Sequence, residues 1–281
     1  LGKFEVSEVM PVMFLSGESG GAAIQETVKR VCKQKGVEYP QGILRIGHNL
    51  PQLTRENEMM VLRKKIQKHK LKVVVLDPAY LCVLDAGSTE ASSNLYAMGI
   101  ILRILSKLGE DEDCTMIVAH HARKAPGREE YREPEMGDLT GAGWGEWMRQ
   151  WVLLNHREKM VDGKFRLWMV CGGSAGGVRR TWAVDVDEGE HEDPLLGRDW
   201  DVVVTSEQDG KRKTRLSLLE RDKDSVRQEL GVPITEMALR YRLDLPIKRI
   251  HDLLAMMVVD GEVVVTESES GSLYQVLEIL G

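Results

Sequence analysis

Several short stretches of this sequence combine residue types that do chemistry. Gly17-Glu18-Ser19-Gly20-Gly21 fits G-x-S-x-G, with Ser19 between a predicted strand and a predicted helix. That is the setting of a hydrolase nucleophile, and Asp77 or Asp85 and then His120 or His121 follow in the order Ser…Asp…His. A hydrolase of that kind normally places several strands before its nucleophile, and only residues 1–16 precede this motif. Val73-Val-Val-Leu-Asp77 is an apolar strand ending in a carboxylate, the Walker B pattern, whose Asp holds magnesium through water beside nucleotide phosphates. His120-His121-Ala122-Arg123-Lys124 follows another apolar run. Adjacent histidines point in different directions and do not share a metal, but a His at a strand end can sense a phosphate. Trp144, Trp147 and Trp151 stand at i, i+3 and i+7, a core-facing helical stripe or a base-stacking platform. Lys248, Arg249 and His251 follow Pro246 at the start of a helical stretch and could meet phosphate or a protein partner.

These residues need elements to hold them. Val12-Met-Phe-Leu15, Val73–Leu76 and Thr115–Ala119 read as buried strands. Residues 22–33 and 56–70 read as helices, and Leu95, Met98, Ile101, Leu102, Leu105 and Leu108 form the apolar face of another, with Asn94 among its candidate caps. Residues 125–140, polar with Gly and Pro, read as a loop, and Trp151–Leu154, Arg166–Val170 and Thr181–Val186 as further strands. Alternation of this kind predicts an α/β fold with a mostly parallel sheet and helices on both faces. Ligands of such sheets lie at the carboxyl ends of the strands, where Glu18, Asp77, His120 and His121 fall.

Three segments are expected. Residues 1–189 form the α/β core. Residues 190–222 form a β-hairpin and linker, with Gln208-Asp-Gly-Lys211 as its turn. Residues 223–281, helices followed by a hairpin around Ser270-Gly271, form a winged helix-turn-helix. From Asp224 onward there are ten acids and five bases, so a protein-contact wing is at least as compatible with the charge as a DNA reader. The whole chain carries 38 Lys+Arg against 44 Asp+Glu and 42% hydrophobic residues over 281 positions. That excludes bulk disorder, and no stretch reaches the roughly 18 apolar residues a membrane span needs. Cys32, Cys82, Cys114 and Cys171 are far apart without a CxxC pair, so reduced thiols and a cytoplasmic location are expected.

Taken in order, Val12-Met-Phe-Leu-Ser-Gly-Glu18, Val73-Val-Val-Leu-Asp-Pro78, Ile117-Val-Ala-His-His-Ala-Arg-Lys124, Asp138-Leu-Thr-Gly-Ala-Gly143 and Trp151-Val-Leu-Leu154 resemble the RepA-like branch of AAA-family ATPases, whose core is the RecA/replicative-helicase fold. The resemblance covers residues 1–187. It implies ATP and Mg²⁺ as cofactors, a homo-oligomer and DNA as partners, and a setting in DNA replication or mobile-element maintenance. Glu18 matches the glutamate that activates the attacking water, Asp77 the Walker B aspartate and His121 a phosphate sensor. His120, Arg123 and Lys124 match the cofactor side, and Asp138–Gly143 resembles the loop that faces DNA in ring helicases.

The sequence departs from the family pattern twice. No G-x-x-x-x-G-K-[ST] exists: Gly2-Lys3, Gly163-Lys164 and Gly210-Lys211 are each followed by the wrong residue. The chain starts at Leu1 rather than Met, and truncation accounts for the missing P-loop better than degeneration, so this chain is expected to be an inactive portion of an ATPase. Cys171-Gly-Gly-Ser-Ala-Gly-Gly177 replaces the family's Lys/Arg finger, with Arg179 and Arg180 shortly after. Two further readings stand beside this one: a non-catalytic winged-helix regulatory module, and the serine hydrolase built on Ser19.

Overall fold

The computed structural model describes residues 3–83, 94–123, 130–174, 179–189, 199–268 and 271–277. The chain divides into two compact units, Leu1–Glu207 and Gln208–Gly281. The boundary therefore falls inside the segment expected to be a linker, not on either side of it.

The first unit opens with strands and helices in alternation. Strand β1 is Val12–Ser16 and helix α1 is Gly21–Lys35. They are followed by β2 (Leu44–Gly47), α2 (Glu56–His69), β3 (Val73–Asp77), a 3-10 turn at Ala79–Val83, α3 (Leu95–Asp111) and β4 (Thr115–Val118). The strands form a four-stranded parallel sheet in the order β2-β1-β3-β4. Met13 and Leu15 lie opposite Val74 and Leu76 in register, and all four are buried with Leu62 and Ile66 of α2 and Met98, Leu102 and Leu105 of α3. This shared core is the reason the two apolar runs stay in one register. The other face is less covered: Phe14, Val73 and Val75 are half-buried, and Ile117 is 48% exposed.

Local chemistry fixes the helix ends. Asn94 caps α3 by accepting the Tyr96 and Ala97 amides at 2.9 and 3.2 Å. Of the apolar face expected on α3, Leu95 alone remains largely exposed. Helix α1 ends at Gly36 with φ 61°, a left-handed position that glycine takes without strain.

The later strands correct the expectation of a single mostly parallel sheet. After a 3-10 turn at Met136–Asp138 and the one-turn helix α4 (Trp144–Trp147), strands β5 (Gln150–His156), β6 (Lys164–Gly173), β7 (Arg180–Asp187) and β8 (Asp201–Ser206) form a separate antiparallel sheet in that order. Short connections between strands favour antiparallel pairing; no helix separates β5 from β6 to carry a parallel crossover. Leu153 and Val170 join the same core as the parallel sheet.

The tryptophan stripe is not one helix. Trp144 is buried in α4, whereas Trp151 lies on β5 and packs on the backbone of β6. A Cβ at Gly172 would stand 2.3 Å from the Trp151 indole, and one at Gly173 would stand 2.6 Å from the Arg149 carbonyl. Sheet packing therefore accounts for Gly172 and Gly173; residues 175–178 lie outside the described residues.

The expected hairpin at 190–222 is also corrected. Asp201–Ser206 is strand β8, but its partner is β7. Residues 207–229 are a single helix, α5 (Glu207–Glu229), so Gln208–Lys211 is not a turn. Thr214 is the one strand former in Thr214–Leu219, and the Leu, Arg, Lys and Glu residues within and around it favour helix. Residues 190–198 lie outside the described residues.

In the second unit α5 is followed by α6 (Glu236–Leu243), α7 (Ile247–Val259) and an antiparallel pair, β9 (Val263–Ser268) and β10 (Gly271–Val276). Val226, Leu230, Ile234, Leu239, Ile250, Leu253, Leu254, Met257 and Val263 form its own core.

Candidate functional site

Strands β1 and β3 are neighbours with Ser16 opposite Asp77, and the Gly17 amide donates to the Asp77 carbonyl at 2.8 Å. The turn after β1 therefore places Glu18 beside the end of β3. Glu18 Oε1 accepts a 2.7 Å hydrogen bond from the Tyr80 hydroxyl and lies 3.6 Å from His121 Nε2. The Tyr80 and His121 rings are 5.6 Å apart. Glu18, Asp77, Tyr80 and His121 thus gather at the carboxyl ends of adjacent parallel strands. Tyr80 was not legible as a site residue: it follows Asp77-Pro78 in a turn whose direction the local sequence does not encode.

The electrostatics at Asp77 follow from burial first and from the neighbouring carboxylate second. Partial burial holds the Asp77 carboxyl above its usual value of 3.8; the Glu18 charge adds to the rise, and His121 opposes it. The native protein therefore binds more protons at Asp77 than the unfolded chain does between 3.8 and the raised value. Stability contributed there falls as pH rises through that window, and the full penalty persists above it. Asp77→Asn is accordingly expected to raise the urea midpoint at pH 7 and to leave it nearly unchanged below about pH 3. A midpoint lowered at pH 7 would show that the Asp77 charge has a stabilising partner.

Two carboxylates with exposed oxygen suit a hard cation. Among the described residues no group of three or more His, Cys, Asp and Glu side chains closes a metal cage. A magnesium ion at Asp77 would therefore keep waters and need ligands from outside the protein, as phosphates supply. The same residues do not fit the phosphates themselves, because the sequence holds no Walker A loop.

His120 does not join this group. Its Nε2 engages the Thr140 carbonyl at 2.7 Å, its ring stacks on Trp144 at 4.5 Å, and its Nδ1 is buried without a partner. Burial lowers its pKa despite the Thr140 bond. His120 thus packs against Trp144 and Thr140, beside the segment that carries His121 to Glu18. Arg123 is exposed, with its amide on the Asp138 carbonyl at 2.6 Å and its guanidinium on the Leu139 carbonyl at 3.5 Å. Lys124 and Asp85 lie outside the described residues. Asp138, in the segment likened to a DNA-facing loop, bonds the Glu135 amide at 2.7 Å and pairs with Arg132.

The hydrolase triad is not assembled. Among the described residues no hydrogen bond joins Ser19 to His120 or His121; its amide donates to Ser16 Oγ at 3.2 Å, and Glu18 is the residue beside His121. Burial pushes the Cys82 thiol up to about 12, which makes it inert.

A cleft of about 720 Å³ with a mixed lining opens at the ends of β1 and β2, between apolar Leu50, Val61 and Leu81 and polar His48, Asn57 and Lys65. It borders the Glu18 turn through Gly17.

In the second unit, the three residues expected to meet DNA do not form one free cluster. Arg249 holds Asp222 on α5 through two bonds of 3.0 and 2.8 Å. His251 Nδ1 lies 3.1 Å from Glu236. Lys248 is exposed.

Residues 1–127 match the family model described as an AAA domain. No curated protein matches the chain.

Proposed function

We propose, from the match of residues 1–127 to the AAA domain model, that this chain carries part of a magnesium-dependent ATPase whose hydrolytic end is the Glu18–Asp77–His121 group. The observation that supports this most is the placement of Glu18 and Asp77 side by side at the ends of adjacent parallel strands, with His121 against Glu18. In this reading Glu18 is the general base for the attacking water, Tyr80 and His121 orient its carboxylate, and Asp77 is the magnesium-side carboxylate. Magnesium, when bound, would neutralise charge developing on the phosphates.

The phosphate cradle must then come from polypeptide outside residues 1–281. The missing Walker A motif supports this, as does β4, whose outer edge pairs with no strand among the described residues. An unpaired parallel edge next to His121 is an open position for one more strand.

Calorimetry with Mg-ATP tests the reading. This chain is expected to bind weakly or not at all, and a longer form supplying a Walker A loop to bind well. In that longer form Glu18→Gln is expected to lower kcat by about 10²–10⁴-fold with ATP binding retained. Hydrolysis that survives Glu18→Gln together with Asp77→Ala would overturn the assignments, and low-micromolar binding by this chain alone would overturn the missing cradle.

A DNA-related role is the second part of the proposal. Helix α6, the short Asp244–Pro246 connection, helix α7 and the β9–β10 pair support a winged helix-turn-helix in the second unit. The pairing of Arg249 and His251 with carboxylates leaves Lys248 as the free cation of the expected trio. A salt-sensitive gel shift with the full chain at low ionic strength supports DNA contact, and no shift there removes it.

A further inference from the structure

The first half of α5 departs from the rest of the second unit. Residues 211–218 are exposed but for half-exposed Thr214, whereas the core contribution of the helix begins near Leu219 and centres on Val226. Lys211, Arg212, Lys213 and Arg215 crowd four cations into five positions, followed by Leu216, Leu218 and Leu219. Leu216 is 55% exposed.

These residues line one side of a groove of about 360 Å³ between α5 and α7: Arg212, Arg215, Leu216 and Leu219 from α5, with Arg249 and Met256 from α7. The floor is aliphatic and the rim carries three guanidinium groups. Arg249 is fixed by Asp222 at 2.8 Å. Arg212 makes an exposed 3.3 Å pair with Asp209, and Arg215 pairs with no carboxylate among the described residues.

We infer that this groove docks an acidic amphipathic segment of a partner protein. Its carboxylates would meet Arg212 and Arg215, and its apolar side chains would cover Leu216, Leu219 and Met256. The charge pattern selects this occupant. Residues 208–281 hold thirteen acids and eleven bases, so the basic rim is a local feature of a unit that is close to neutral as a whole. A nucleic-acid backbone would satisfy the arginines but leave the exposed leucine and methionine without cover. An amphipathic helix satisfies both, with carboxylate and aliphatic groups one turn apart. Guanidinium groups also match carboxylates in paired geometry.

The test uses the full chain and a fluorescent synthetic helix of roughly 18 residues, with Glu at i and i+4 and Leu at i+3 and i+7. Anisotropy is expected to show saturable binding that weakens about tenfold in Arg212→Glu/Arg215→Glu. Leu216→Ser, which keeps every charge, is expected to weaken it several-fold. A Lys-for-Glu version of the helix is expected to regain affinity for the double variant, which a misfolded variant would not show. Circular dichroism checks that both variants fold. Absence of binding, or binding indifferent to these changes, overturns the inference. So does a duplex oligonucleotide that binds more tightly than the helix through the same arginines. Concentration-dependent dimerisation abolished by Leu216→Ser would assign the groove to a second copy and overturn it as well.

Discussion

A Leu254→Ala chain is expected to lose about 2–5 kcal/mol of stability in its C-terminal unit, with little change in the N-terminal one. Leu254 is fully buried among Leu230, Leu239, Ile250 and Met257. Truncation removes transfer energy and leaves a cavity that a small core cannot collapse to fill. The two units can be read separately. All six tryptophans lie within residues 144–200, in the first unit, while the second holds Tyr241 and Tyr274. In urea, tryptophan emission should keep its native midpoint, and far-UV circular dichroism should gain an early transition. Coincident shifts of both signals would mean that the units unfold together.

The second large effect lies in the first unit. Asp185→Ala is expected to destabilise it by about 3–5 kcal/mol, because it leaves a buried guanidinium without its main partner. The Arg157 side chain is 1% exposed, with Nη2 2.8 Å from Asp185 Oδ1 and its guanidinium over the Trp168 ring at 5.4 Å. Its Nη1 already has no hydrogen-bond partner. Glu158 lies 3.6 Å away but cannot replace the direct bond without moving. Here the tryptophan midpoint should fall, the reverse of the Leu254→Ala pattern. Asp185→Asn, which keeps an acceptor, should lie between native and alanine. A loss below about 1 kcal/mol would show that Glu158 or water takes over the guanidinium.

The reach of the sequence differs from segment to segment. The apolar runs Val12–Leu15 and Val73–Leu76 are strands because branched residues between turn formers suit a buried pleat. The α3 stripe is a helix because its spacing makes one face, and Asn94 caps it through bonds that depend on neighbours in sequence. Thr214–Leu219 shows the limit: a short run of Leu and Thr fits either period, and flanking Lys, Arg and Glu decide for helix over 23 residues. The Trp144, Trp147, Trp151 spacing misleads for a similar reason, since Met148 ends the turn and β5 begins at Gln150.

What the sequence by itself determined is the set of strand ends that carry Glu18, Asp77 and His121, because side-chain type and local period act over a few residues. Tertiary structure decided which of these groups meet. The β1–β3 register set Glu18 beside Asp77 and Tyr80, the stack on Trp144 turned His120 away from the site, and Asp222 and Glu236 claimed Arg249 and His251. Each of these contacts joins residues 15 or more apart in the chain, and packing alone determines which distant partner a side chain finds.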